Sequence, residues 1–224
     1  ALRHHGGALP DELNTPSLEK VQKGIVNLDK HIENIRKFQI EPVVAINGFT
    51  NDSEEEVNFI IDHCASQGVR AVLSEGWAKG GDGTKDLAAA VAEVVESEAS
   101  HFKPLYSWDS PVVDKIDTIA KEIYGASHVS YTKKAKLNLR RIKRLGFENF
   151  AICIAKTQKS FSDDEKLIGR PENFEIHVRE IEIAAGAGFV IPIVGKMMRM
   201  PGLPSKPASE GMSIDNEGTI SGLS

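Results

Sequence analysis

The chain has 224 residues, of which 41% are hydrophobic and 26% charged, and its formal net charge is −5. That length can bury one large core or two small ones, with the composition of an ordinary soluble globular protein. The charge gives no global attraction to nucleic acid, and no apolar run approaches the length of a membrane span. The opening ALRHHGGALP has no apolar signal core and reads as the tail of an earlier element entering a loop. Two cysteines, Cys64 and Cys153, each sit in an apolar pattern. They are read as reduced core residues of a cytoplasmic protein, not as a disulfide or a zinc site.

Residues 42–47, ending VVAIN, form an apolar run expected to be a strand covered on both faces. Ser53 with Glu56 makes a capping box, and Val57, Ile60, Ile61 and Cys64 follow at helical spacing up to a stop at Gly68. A second buried strand, VRAVLSE (69–75), should lie parallel to the first through a right-handed crossover. After GWAKGGDG (76–83), helices are expected from about Thr84, from Ser110-Pro111 to Gly125, and from Thr132 to Leu145. NFAICIA (149–155) reads as a buried strand, and 174–194 as one or two strands broken by Gly186 and Gly188. The tail from Pro201 is rich in Pro and Gly, with a short hairpin expected around Asp215–Gly218. The whole reads as α/β: mainly parallel sheet flanked by helices, in two small subdomains that divide near residues 122–126.

Phe49 and Trp77 each fall just beyond the C-terminal end of one of two neighbouring parallel strands. Ligands bind at that edge in open α/β sheets, so the two rings are candidates for a slot that takes a flat heterocycle. Plugging the top of the core would demand the same spacing. GWAKGGDG leads into a helix and suits either an anion cradle or a tight turn. It matches neither G-x-x-x-x-G-K-[ST] nor G-x-G-x-x-G, and the chain contains no phosphate loop. The helix over 132–145 carries Lys133, Lys134, Lys136, Arg140, Arg141, Lys143 and Arg144. It is either a solvated face or a patch for an acidic partner or a polyanionic ligand tail. His177 and Glu180 have helical metal-ligand spacing but fall in an expected strand, and no metal set or Ser-His-Asp set can be assembled. KTQKSFSDD (156–164) is a polar loop directly after a strand.

VVAINGFTNDSEEEV, SEGWAKGGDGTKDLA, AKTQKSFSDDEKLIG, MRMPGLPSKPA and the terminal GTISGL together resemble the formate–tetrahydrofolate ligases, in order and along essentially the whole chain. The resemblance covers only the C-terminal two-fifths or so of a family member, and residues 1–30 look like the segment leaving that family's nucleotide-binding domain. Residues 31–123 are then the subdomain bearing the aromatics and 124–224 the second. The resemblance implies an ATP-dependent ligase that makes 10-formyltetrahydrofolate through formyl phosphate. It also implies Mg²⁺ with ATP, a monovalent cation, and a cytoplasmic homotetramer with neither nucleic-acid nor membrane partners. Phe49 and Trp77 match the pair that sandwiches the pterin ring, and Leu73 matches an apolar position against the adenine. Asn47, Thr50, Lys79, Gly80 and Gly81 flank the same crevice; the catalytic residues are not identified. Thr50 stands where the family commonly has Pro, which is expected to loosen the loop around Phe49. The competing readings are a structural or assembly fragment with an incomplete pocket, and a stand-alone folate- or nucleotide-binding module.

Overall fold

A computed structural model of the chain describes residues 1–97, 101–197 and 205–222. The start of the tail, 201–204, lies outside the described residues, and with it most of MRMPGLPSKPA. Helices flanking mainly parallel strand pairs make an α/β fold, as the sequence pattern implies. Among the described residues no helix is long and apolar enough to cross a membrane.

The first long element is one the strand-by-strand reading missed. A short helix α1 (Leu2–His5) precedes the long helix α2 (Leu18–Arg36), which Ser17 caps by accepting from the Lys20 amide. Val21, Ile25 and Ile32 bury one stripe of α2 against Ile60 and Cys64. This i, i+4 spacing was legible in the sequence. A second stripe is polar yet also buried: the Asn27 and Asn34 amides and the Lys30 ammonium donate to the carbonyls of Gly169, Ile123 and Glu122. Helix α2 is thus a spine, apolar toward one half of the chain and hydrogen-bonded to the other.

Helix α1 lies almost backbone to backbone on α2. A Cβ at Gly24 would sit 2.0 Å from the Leu2 carbonyl oxygen, and one at Gly6 would sit 1.8 Å from that of Lys20. Gly24→Ala ought to stabilise an isolated helix. Here it is expected to cost about 1–3 kcal/mol, because α1 must lift off. A rise in melting temperature on that substitution would contradict the close packing.

Strand β1 (Val43–Asn47) leads into helix α3 (Glu54–Ser66), and strand β2 (Arg70–Ser74) returns parallel to β1 with Val43 opposite Arg70 and Asn47 opposite Ser74. The turn into β2 uses Gly68 at φ +72°, a conformation glycine adopts without a Cβ penalty. The expected full burial of β1 is not seen. Val44 and Ile46 pack toward α2 and α3, whereas Ala45 and Asn47 are exposed. Strand β1 has β2 as its one strand neighbour among the described residues. Beyond β2 come helix α4 (Gly76–Lys79), a tight turn at Gly80–Thr84, and helix α5 (Lys85–Ser97).

The second half is built on a mixed four-stranded sheet. Helix α6 (Val112–Thr118) runs on in π-helical turns to Tyr124 and ends at Gly125. Strand β3 (His128–Tyr131), helix α7 (Lys133–Leu145), β4 (Ala151–Ile152), β5 (Glu175–Ala184) and β6 (Phe189–Val194) follow. The spatial order is β3-β5-β6-β4, with β3–β5 and β4–β6 parallel and β5–β6 antiparallel. Val112, Ile116 and Ala120 pack with Ile176, Val178 and Val190 in the apolar core of this half. Strand β3 had not been expected.

The strand expected over 149–155 shrinks to two ladder residues and a bridge at Ala155. Cys153, expected in the core, is exposed, while Cys64 is buried as read. Strand β4 is an edge strand whose alternate residues turn outward. The expected hairpin is present as β7 (Ser213–Ile214) paired with β8 (Ile220–Ser221).

Candidate functional site

The site builds from the ends of β1 and β2. Past Asn47 the chain turns at Gly48, whose amide donates to the Ser74 carbonyl and whose missing side chain lets Leu73 in: a Cβ there would lie 2.7 Å from Leu73 Cδ1. This close approach places Phe49 over the end of the sheet. Trp77 rises from α4, and its indole N–H donates to the Gly48 carbonyl at 2.6 Å. The two rings face each other with centroids 6.2 Å apart and planes inclined by 24°. Phe49 is 58% and Trp77 56% exposed, so neither ring plugs the core. Two large aromatics left half in water on one stacked pair form an apolar surface that a flat ligand can cover.

The structure stacks Phe49 against Trp77, and Leu73 lies against Gly48, the residue before Phe49. Asn47 and Thr50 are exposed beside it. Lys79 is paired with Glu75, and Gly80, at φ +57°, and Gly81 are exposed on the neighbouring turn. That turn closes on itself: the Glu75 amide donates to the Gly83 carbonyl, and a Cβ at Gly83 would meet Glu75 backbone at 2.6 Å. GWAKGGDG is therefore a compact helical turn in which the glycines serve close packing.

The loop after Phe49 is held more firmly than Thr50 alone would suggest. Asp52 accepts from the Phe49 amide at 2.9 Å, and its own amide donates back to the Phe49 carbonyl. Arg3 pairs with Asp52 at 2.9 Å and also donates to the Asn51 carbonyl. Arg3 is anchored in turn on Glu56, through Nε at 2.7 Å and Nη2 at 2.6 Å. Glu56 also accepts from the amides of Ser17 and Ser53 and from the Ser53 hydroxyl. The carboxylate is only 3% exposed, and burial alone would raise its pKa. The bonds from Arg3, Ser53 and Ser17 outweigh that and hold it at about 2. The sequence showed Glu56 only as a capping-box residue. It also joins α1, α2 and the Phe49 loop, and no local pattern announces a pairing with a residue fifty-three positions away.

Other candidates resolve as structural. Lys156, opening the KTQKSFSDD loop, donates to the carbonyls of Thr157, Ser160 and Ser162 and lies 5.1 Å from the centre of the Tyr124 ring. Burial pushes its pKa down to about 8. A shell of carbonyls and a ring face suits an ammonium that pins the loop. His177 sits in β5 and contacts Asp163 and Glu175. Among the described residues no group of three or more His, Cys, Asp or Glu could hold a metal ion.

The profile of the formate–tetrahydrofolate ligase family matches residues 1–224. The chain belongs to that family. Formate–tetrahydrofolate ligases of Staphylococcus aureus strains JH9 and Newman are each 47% identical to it over 223 residues. Those alignments cover 100% of this chain and 40% of each relative, so the chain spans about two-fifths of the length of the curated relatives it matches. Within this ligase family chain, the exposed aromatic pair is the feature that most directly presents itself to a ligand.

Proposed function

We propose that this chain supplies the folate-binding wall of an ATP-dependent formate–tetrahydrofolate ligase. The observation that carries this reading is the stacked, half-exposed Phe49–Trp77 pair beyond two parallel strands. In the reaction, a formate oxygen attacks the terminal phosphorus of ATP, releasing ADP and forming formyl phosphate. The amine of tetrahydrofolate then attacks the formyl carbon and expels phosphate, leaving 10-formyltetrahydrofolate. Phe49 and Trp77 would hold the pterin between them. Leu73 would meet the adenine, and Asn47, Thr50, Lys79, Gly80 and Gly81 would line the crevice. We assign Mg²⁺, a monovalent cation, a cytoplasmic location and a tetrameric assembly to the whole ligase.

A sandwiched ring needs two stacking gaps of about 3.5 Å each, whereas the two ring centroids lie 6.2 Å apart, so the pair must rearrange to admit a ring between them. Trp77 is one face of that pair, which makes its indole a reporter of occupancy. Titration with tetrahydrofolate is expected to quench tryptophan fluorescence in the unmodified chain and in Trp108→Ala, but not in Trp77→Ala. Quenching that survives in Trp77→Ala would move the ligand elsewhere. No quenching at any accessible concentration would favour a structural or assembly role.

A further inference from the structure

Helix α7 is basic along its whole length, and Lys133, Lys134 and Lys136 stand among its first four residues. Cations at a helix N-terminus oppose the macrodipole, so this charge does not serve helix stability. Lys134 pairs with Glu180. Among the described residues, Lys133, Lys136, Arg140, Arg141, Lys143 and Arg144 have no ion-pair partner. Lys133, Arg140 and Arg144 share one stripe of the helix, and Lys134, Asn138 and Arg141 share the next.

Beside that second stripe, no described strand covers the far part of β5 on the side away from β6. Strand β3 covers β5 only as far as Val178, opposite Tyr131. Farther along, Val190 and Pro192 of β6 give their carbonyls to Cys153 and Ala155 on the far side. Their antiparallel partners, Ile183 and Ile181, therefore turn their main-chain groups away from β6. The Ile181 amide donates to Asn138 of α7 at 3.2 Å. The Ile183 main chain faces a groove of about 500 Å³ lined by Lys134, Asn138, Arg141, Glu180 and Glu182. Within the groove Glu180 and Glu182 stand beside Lys134 and Arg141, and Lys133, Arg140 and Arg144 lie on the adjacent stripe of α7 at its rim.

We propose that this groove takes an extended acidic peptide segment as an added strand on β5. Its main chain would pair with Ile183 and the Ile181 carbonyl, and its acidic side chains would reach the rim of Lys133, Arg140 and Arg144. Strand addition draws affinity from main-chain bonds and selectivity from alternate side chains, and this site presents both. The test uses a fluorescein-labelled peptide of about eight alternating Glu and Thr residues, titrated into the 224-residue chain and read by anisotropy. Saturable binding is expected. It should weaken by about tenfold or more in the triple variant Lys133→Glu, Arg140→Glu, Arg144→Glu. It should weaken comparably when alternate peptide amides are N-methylated, a control that leaves the protein untouched. Absence of saturable binding up to about 1 mM would overturn the proposal. Equal binding by the N-methylated peptide or by poly-γ-glutamate would also overturn it, reducing the site to a charge-only patch. Dimers in sedimentation velocity that the triple variant abolishes would give the groove to a second copy of the chain instead.

Discussion

Glu56→Ala is expected to destabilise the chain by about 3–5 kcal/mol, the cost of leaving a buried charge without its partner. The magnitude follows from what the carboxylate holds. It takes two bonds from Arg3, two from backbone amides that open α2 and α3, and one from the Ser53 hydroxyl. Its removal strands Arg3, which is 11% exposed, and frees the cap of α3. An exposed ion pair would contribute no more than about 1 kcal/mol, so a urea-unfolding loss that small would refute the hub.

The same carboxylate sets a pH dependence. Its pKa falls from an ordinary 4.5 to about 2 on folding. A depressed carboxylate contributes stability that is complete above the unfolded value and is lost as pH falls through the folded one. The drop corresponds to roughly 3 kcal/mol, lost between about pH 4.5 and 2. Glu56→Gln keeps the shape but cannot titrate, so its unfolding midpoint should fall less steeply with acid over that window. Parallel acid profiles for Glu56→Gln and the unmodified chain would sink the assignment. Because Arg3 also clamps Asp52, these variants should loosen the Phe49 loop as well.

The second large effect concerns ligand affinity. Trp77→Ala and Phe49→Ala are each expected to weaken tetrahydrofolate binding by about ten- to a hundredfold, since stacking one heterocycle on one aromatic contributes about 1–3 kcal/mol. The two rings share one occupant, so the double substitution should cost less than the sum of the singles. Calorimetric titration of the four proteins measures this directly. Because both rings are more than half exposed, the singles should leave the melting temperature nearly unchanged. A pair that merely stabilised the fold would produce the opposite pattern, lower stability with unchanged affinity.

The candidate slot was legible because it rests on local order: an apolar run, a turn and a ring, repeated at a neighbouring strand. Periodicity put Phe49 and Trp77 at one sheet edge, and Ser53 with Glu56 marked the start of α3. The strand at 149–155 misled because an apolar run says nothing about how many neighbours a strand has. On an edge with one neighbour, Cys153 turned outward.

By itself, the sequence determined the α/β class, the family, the capping box at Ser53 and Glu56 and the ends of β1 and β2, since each is written in spacings of a few residues. Tertiary structure alone decided that Glu56 binds Arg3, that α2 joins the two halves through Asn27, Lys30 and Asn34, and that no described strand covers β5 beyond Val178 on its β3 side. Those outcomes depend on which distant segments meet, and burial makes such a meeting strong by removing the water that would otherwise screen it.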